Sequence, residues 1–279
     1  VEALPYIQRF RGQTFVIKYG GSAMEDDQQV DRLLRDVVFM EAVGINPVVV
    51  HGGGNAISAK MREAGVAPEF VNGLRVTDGA SVRIVEDILD GVINPGIVAA
   101  IARHGGHATG LSGKNTFAAM RVQPLEVEGG KVIDIGFVGS ATTVRTDAVL
   151  AAIAAERVPV ISPIGADATG QVLNINADVA AAALATELGA EKLIFVSDVP
   201  GIMRDPERKE SLIPSVTVEQ ARALMKEKII AGGMIPKVES AVRALEAGVG
   251  KVHLIGGAVH HCLLLEIFTN AGVGTEIVR

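Results

Sequence analysis

The chain has 279 residues, enough for one large α/β domain or two small lobes, and its 48% hydrophobic and 21% charged content excludes wholesale disorder. A formal charge of −6 with no basic patch disfavours nucleic-acid and acidic-membrane partners, and a lone cysteine, Cys262, excludes a disulfide-stapled scaffold. No apolar run is long enough to span a bilayer, and the start, Val-Glu-Ala-Leu-Pro-Tyr, shows no signal peptide. The expectation is a soluble cytoplasmic protein, trimmed at its first residue because no Met opens it.

Thr14 to Tyr19 reads as a buried strand ended by Gly20-Gly21. Gln28 to Val43 then carries apolar residues at helical spacing, among them Val30, Leu33, Leu34, Val37 and Val38. Pro47 to Val50 is a second β-branched run, ended by Gly52-Gly53-Gly54, and Asn55 is placed to cap a helix running to Ala64. Two strand–glycine–helix units argue for parallel strands joined by crossover helices. Phe117 to Val144 holds short β-like runs broken by Gly129-Gly130, Gly136 and Gly139, the pattern of hairpins. Strands return at Val158 to Ile161, Val172 to Ile175, Lys192 to Val196 and Lys251 to Ile255, with an Ala-rich helix from Ala177 to Leu188. The expected fold is a three-layer α/β/α sandwich on a mainly parallel open sheet. A soft boundary at residue 176 divides lobes 1–176 and 177–279.

Two nucleotide motifs fail. Gly113-Lys114-Asn115 and Gly130-Lys131-Val132 lack the leading Gly and the hydroxyl of a P-loop, and Ile57 stands where a dinucleotide fingerprint needs its third glycine. Three other glycine turns suit anions. Lys18-Tyr-Gly-Gly-Ser22 ends the first strand, and His51-Gly-Gly-Gly54 ends the second and opens a helix whose N-terminus favours negative charge. Gly232-Gly233-Met-Ile-Pro-Lys237 puts another lysine at a helix start, since Pro236 fits a first turn. Any one of these could be a plain tight turn; three together, two with lysines, favour a phosphate site. Asn174-Ile-Asn-Ala-Asp178 offers more polar groups than a cap for the following helix requires. An Asp between two lysines would hold both ammonium groups around a reacting phosphoryl group. Ser197-Asp-Val-Pro-Gly201 is either an ordinary turn or a nucleotide-facing loop.

These segments resemble the acetylglutamate kinases of the amino-acid kinase family. The likeness runs from Glu2-Ala-Leu-Pro-Tyr6 through the lysine and triple-glycine turns, Asn72-Gly-Leu-Arg-Val-Thr-Asp78 and Asn174 to Asp178. It continues through Gly232 to Lys237 and Leu263-Leu-Leu-Glu-Ile-Phe268 to Gly272-Val-Gly-Thr275. The Asn-Gly-Leu-Arg segment sets it apart from aspartokinase, glutamate 5-kinase and carbamate kinase relatives; an aspartokinase is further disfavoured because no regulatory domain is appended. The resemblance implies a carbamate kinase-like fold and transfer of the ATP γ-phosphoryl group, with Mg²⁺, to the side-chain carboxylate of N-acetyl-L-glutamate for arginine synthesis. It implies catalytic roles for Lys18, Lys237 and Asp178, and acceptor binding by Gly53, Gly54, Arg75, Asn174 and Asn176. Gly20, Gly21, Ser197, Asp198, Gly201, Gly232, Gly233 and Met234 would face the nucleotide. A side-chain carboxylate, with a pKa of about 4.3, is already ionised at neutral pH and needs no general base. Arg75 suits a bidentate grip on a carboxylate.

Two positions depart from the family pattern. Asn55 replaces a usual Pro, and Pro95 replaces a common Lys, removing a charge and an N–H from the acceptor side. His260-His261-Cys262 lacks zinc-ligand spacing, and the six histidines are expected at the surface or behind the site. The amphipathic segment Glu2 to Phe10 is either a helix packed on its own subunit or, by resemblance, the companion of a hexamer inhibited by L-arginine. Tyr6, Lys192, His253, Glu266, Gly272 and Gly274 resemble the arginine-site pattern of that family, some of whose members also bind a PII-type signalling protein. The competing readings are a sister kinase with another carboxylate acceptor, and a kinase-like arginine sensor without turnover, against which intact Lys18, Asp178 and Lys237 speak.

Overall fold

A computed structural model describes residues 3–24, 26–127 and 129–279, so Glu2 of the N-terminal motif lies outside the described residues. The helices are α1 (Leu4–Phe10), α2 (Asp27–Ala42), α3 (Gly54–Glu63), α4 (Gly79–Ile88), α5 (Asn94–Arg103) and α6 (Gly113–Thr116). They continue with α7 (Asp147–Ala154), α8 (Ala177–Glu187), α9 (Val218–Lys226), α10 (Met234–Glu246) and α11 (Cys262–Phe268). The first strands are β1 (Thr14–Tyr19), β2 (Asn46–His51), β3 (Phe70–Val71), β4 (Leu74–Arg75), β5 (Ala108–Leu111) and β6 (Phe117–Arg121). Next come β7 (Leu125–Val127), β8 (Lys131–Ile133), β9 (Val138–Val144), β10 (Val158–Ile161), β11 (Ile164–Ala166) and β12 (Val172–Ile175). The last are β13 (Lys192–Ser197), β14 (Ser215–Thr217), β15 (Lys251–Gly256) and β16 (Thr275–Val278).

The main sheet has eight strands in the order β14-β16-β15-β13-β1-β2-β10-β5. Every neighbouring pair is parallel except β15 with β16, so the expected mainly parallel sheet is present with two reversed strands at one edge. Strands that precede residue 176 fill one half and later strands the other, joined where β1 pairs with β13.

Strand β1 shows how the layers form, because successive side chains leave opposite faces. Phe15, Ile17 and Tyr19 join a core with Leu34 and Val37 of α2, Ile97 and Ile101 of α5 and Leu263 of α11. Val16 points the other way, into a core with Ala181 and Leu184 of α8 and Val238 and Ala241 of α10. Complete burial of such side chains contributes about 1.5–3 kcal/mol each. By the same alternation Lys18 lies on the α8–α10 face, in register with Val50 of β2 and Phe195 of β13.

The hairpin region is partly as expected. Strands β7 and β8 form a hairpin, with Gly129 and Gly130 both at positive φ between them. Strands β6 and β9 pair and close with β11 and β12 into a small four-stranded barrel. Asn55 does not cap α3. Gly53 occupies the cap without a side-chain bond and Asn55 sits in the first turn, because the chain already turns helical at Gly54. No helix among the described residues is long and apolar enough to cross a membrane.

Candidate active site

One carboxylate lies between two buried ammonium groups. Lys18 Nζ is 2.9 Å from Asp178 Oδ1, and Lys237 Nζ donates to Asp178 Oδ2 at 3.0 Å. Three elements deliver these groups: the end of β1, the first turn of α8 and the first turn of α10. Asn176 caps α8, its side chain accepting from the Asp178 and Val179 N–H groups at 2.9 and 3.2 Å. Capping therefore falls to Asn176, which leaves the Asp178 side chain for the lysines. Burial pushes the Asp178 carboxyl up, but the Lys18 and Lys237 charges outweigh it and hold the group below the ordinary range. Burial and the neighbouring Lys18 charge lower Lys237, opposed by Asp178 and by the charge of Asp198. Lys237 Nζ also stands 5.1 Å from the Phe195 ring centre.

Two glycine turns touch behind this centre. A Cβ on Gly20 would lie 2.9 Å from Lys18 Nζ and 3.2 Å from the Gly52 Cα, so bare backbone is required where β1 and β2 end. The contact is fixed by the Gly52 N–H, which donates to Tyr19 O at 2.6 Å. Beyond it opens a cavity of about 210 Å³ lined by Lys18, Gly21, Gly53, Gly54, Arg75, Asn174, Asn176 and Asp178. The N-termini of α3 and α8 both open on it; the α3 amides carry no side-chain cap, and both helix dipoles favour an anion.

Arg75 forms the opposite wall. Its Nη2 donates to Gly54 O at 2.7 Å and Ser58 Oγ at 2.8 Å, its guanidinium carbon lies 4.7 Å from the Phe70 ring centre, and no carboxylate pairs with it among the described residues. Burial lowers its pKa, with help from Arg62. Asn174 on β12 donates to Thr77 Oγ1 at 3.3 Å.

The candidate nucleotide residues fall at the end of β13, where the Asp198 charge reaches Lys237, and at the start of α10, the helix that carries Lys237. Ser197 closes β13 and donates to Val199 O at 3.2 Å. Gly201 packs against Thr275, whose Oγ1 would be 2.5 Å from a Cβ there. Gly232 has φ 55°, Gly233 caps α10, and Met234 starts that helix while packing against the core.

Sequence reasoning missed Ser58 and Phe70, which hold Arg75. Ser58 lies one turn after Gly54 on α3, a spacing that faces the same side. Phe70 pairs with Arg75 across the β3–β4 hairpin, and Asn72-Gly73 between the strands was its readable signal. One expectation needs correction. Pro95 is exposed and lines a separate cavity with Asp90, Val98 and Ser112, because its turn of α5 faces away from the cleft. His107, His260 and His261 are exposed, while His51 and His253 stand on interior strands and are buried, His51 behind the glycine turn of the cleft.

The six residues of the arginine pattern meet in one pocket of about 370 Å³, far along β13 from the lysines. His253 lies between Lys192 Nζ at 2.7 Å and Glu266 Oε1 at 2.6 Å, and Glu266 Oε2 accepts from the Val273 and Gly274 N–H groups. Tyr6 of α1 donates to Asn270 at its rim, so α1 packs on its own chain. Burial first, then the Lys251 charge, brings Lys192 down to about 8.

The amino acid kinase family matches residues 13–256. An acetylglutamate kinase of Akkermansia muciniphila is 51% identical over 100% of this chain and 94% of its own. The solved N-acetylglutamate synthase of Neisseria gonorrhoeae, complexed with coenzyme A and N-acetyl-glutamate, aligns with 100% of this chain at a TM-score of 0.87 and 29% identity. Its complex with coenzyme A and L-arginine aligns with 99% at 0.84 and 26% identity, and the chain spans 62% and 64% of these two synthase chains. A carbamate kinase of Giardia covers 96% of this chain and 99% of its own at a TM-score of 0.66 and 17% identity, a likeness of fold alone. The chain belongs to the amino acid kinase family and is a kinase, with acetylglutamate kinases as relatives along its whole length.

Proposed function

We propose that the protein transfers the γ-phosphoryl group of Mg·ATP to the side-chain carboxylate of N-acetyl-L-glutamate, as a step of arginine synthesis. The observation that carries this reading is the Lys18–Asp178–Lys237 centre on the wall of a cleft whose other wall is Arg75, which has no carboxylate partner among the described residues. Arg75 grips the α-carboxylate, the Gly53 and Gly54 amides and Asn174 hold the acceptor, and the side-chain carboxylate faces the lysines. A carboxylate oxygen attacks the γ-phosphorus, the bond from phosphorus to the β–γ bridging oxygen breaks, and ADP leaves. The difficulty is charge, since an anion approaches an anion. Lys18 and Lys237 offset that repulsion while Asp178 fixes their positions, so catalysis is positioning plus electrostatic stabilisation. Magnesium would come with ATP and would offset charge on its phosphates. The acceptor uses the half of the sheet before residue 176. The nucleotide uses the other, near Ser197 to Gly201 and Gly232 to Met234.

The second pocket supports control by L-arginine. Glu266 offers a carboxylate for a guanidinium, beside Tyr6 and the Gly272–Gly274 backbone, and the synthase fold-mate was solved with L-arginine. The test is hydroxylamine trapping of the acyl phosphate with Mg·ATP and N-acetylglutamate, glutamate or aspartate, with and without arginine. Hydroxamate from N-acetylglutamate alone, suppressed by arginine, supports the whole reading. Product from another acceptor makes it a sister kinase, and arginine binding with no product at all makes it a sensor.

A further inference from the structure

His51 is fully buried at the end of β2, between the strand and the glycine turn. Its Nδ1 lies 3.0 Å from Gly52 O and its Nε2 lies 3.3 Å from Asn94 Nδ2. The Asn94 amide nitrogen also donates to Val160 O at 2.9 Å, which fixes which end of that amide faces the strand. An amide nitrogen only donates, so His51 Nε2 must be the bare, accepting nitrogen. Nδ1 then carries the single ring proton and donates it to the Gly52 carbonyl. Burial pushes the imidazole down to about 4, against the opposing pull of the Gly52 bond and the Asp90 charge, so the ring is neutral at working pH. Gly110 makes room for Asn94: a Cβ there would stand 2.3 Å from Asn94 Oδ1.

The Gly52 carbonyl and the Gly53 N–H belong to one planar trans peptide and point in opposite directions. Holding the carbonyl toward the imidazole therefore turns the Gly53 N–H away from it. That N–H makes no backbone hydrogen bond among the described residues, and Gly53 lines the cleft. We propose that His51 is a positioning residue for phosphoryl transfer, its Nδ1–H holding the Gly52 carbonyl so that the Gly53 amide is aimed at the acceptor. Asn94 serves it by selecting the tautomer. This inference rests on the proposed acyl-acceptor reading of the cleft.

The test compares His51→Asn, whose amide can place a donor where Nδ1 stands, with His51→Gln, whose amide reaches the Nε2 position. In the hydroxamate assay, H51Q is expected to lose about tenfold or more in kcat/KM for N-acetylglutamate, with the KM for Mg·ATP within about twofold. H51N is expected to recover to within about threefold of wild type. Equal losses in both variants, or none in H51Q, would overturn the proposal, as would parallel losses for acceptor and nucleotide. Nitrogen-15 NMR of histidine-labelled wild-type protein reads the same point without any variant. A His51 ring protonated at Nδ1 and unchanged from pH 8 to about 5.5 is expected, whereas the Nε2–H tautomer overturns it. Absence of product from the wild-type enzyme would instead refute the acceptor reading, and the tautomer would still decide the His51 link.

Discussion

Replacing Asp178 by Asn keeps the size of the side chain and removes the charge that both lysines share. Two buried ammonium groups would then share a neutral amide, with no negative charge between them. The variant is expected to lose about 10²–10³ in kcat, as removal of a preorganised electrostatic group does elsewhere. It should also lose about 3 kcal/mol in denaturant unfolding, the cost of leaving buried charges unpaired. The pH dependence follows with a definite sign. Lys237 already sits below an ordinary lysine, from burial and from Lys18, while Asp178 pulls it up. Rising pH therefore removes its proton earlier than from a free lysine, and kcat falls on that alkaline limb. In D178N the upward pull is gone, so the limb moves to lower pH; a limb that stays or moves up would contradict this electrostatic account. For stability the sign runs the other way. Asp178 is held below its unfolded value, so its contribution is complete above the unfolded pKa and is lost as pH falls through the folded one.

The β3–β4 hairpin is the smallest element that shapes the acceptor wall. Asn72 and Gly73 have φ of 49° and 79°, the left-handed pair of a two-residue turn, and this registers Phe70 opposite Arg75. Gly73→Val strains that turn without touching the lysines. It is expected to raise the KM for the acceptor about threefold to tenfold and leave the KM for nucleotide near wild type, as steady-state kinetics would show. This element also marks how far local reading goes. The strand–glycine–helix units were plain, because periodicity and turn chemistry are local properties, and Asn72-Gly73 carries the same kind of local signal although it was met only as part of the family motif. What Phe70 does for Arg75 was not legible, since a stacking partner depends on cross-strand register. The start of α3 shows the same limit: Asn55 is a good capping residue by type, yet the preceding glycines let the helix begin before it.

Across the whole molecule, β13 spans both sites. Lys192 begins it in the far pocket and Ser197 ends it beside Lys237, about 17 Å apart at the rise of an extended strand. If the far pocket takes arginine through Glu266, Glu266→Gln should raise the arginine concentration for half-inhibition about tenfold or more; an unchanged inhibition curve would remove arginine from that pocket. At this scale the lysine–aspartate–lysine centre was legible from chemistry, because residue types and helix starts restrict what an Asp between two lysines can do. The closed barrel was not. Its closure depends on the pairing of Ala166 with Ala118, a contact between distant segments with no local signature. The cleft, in contrast, follows largely from topology, since Lys18 and Gly53 lie where parallel strands hand over to helices, and Asp178 opens the helix that follows β12 of the barrel.

The central claim is that a carboxylate oxygen of the acceptor attacks the γ-phosphorus. N-acetylglutamate labelled with oxygen-18 in its side-chain carboxylate tests it directly, with hydroxylamine cleaving the acyl phosphate and phosphorus-31 NMR reading the released phosphate. Hydroxylamine attacks the carbonyl carbon, so the bridging oxygen leaves with phosphorus. The account predicts phosphate carrying one oxygen-18 atom, while unlabelled phosphate would mean that water, not the carboxylate, received the phosphoryl group.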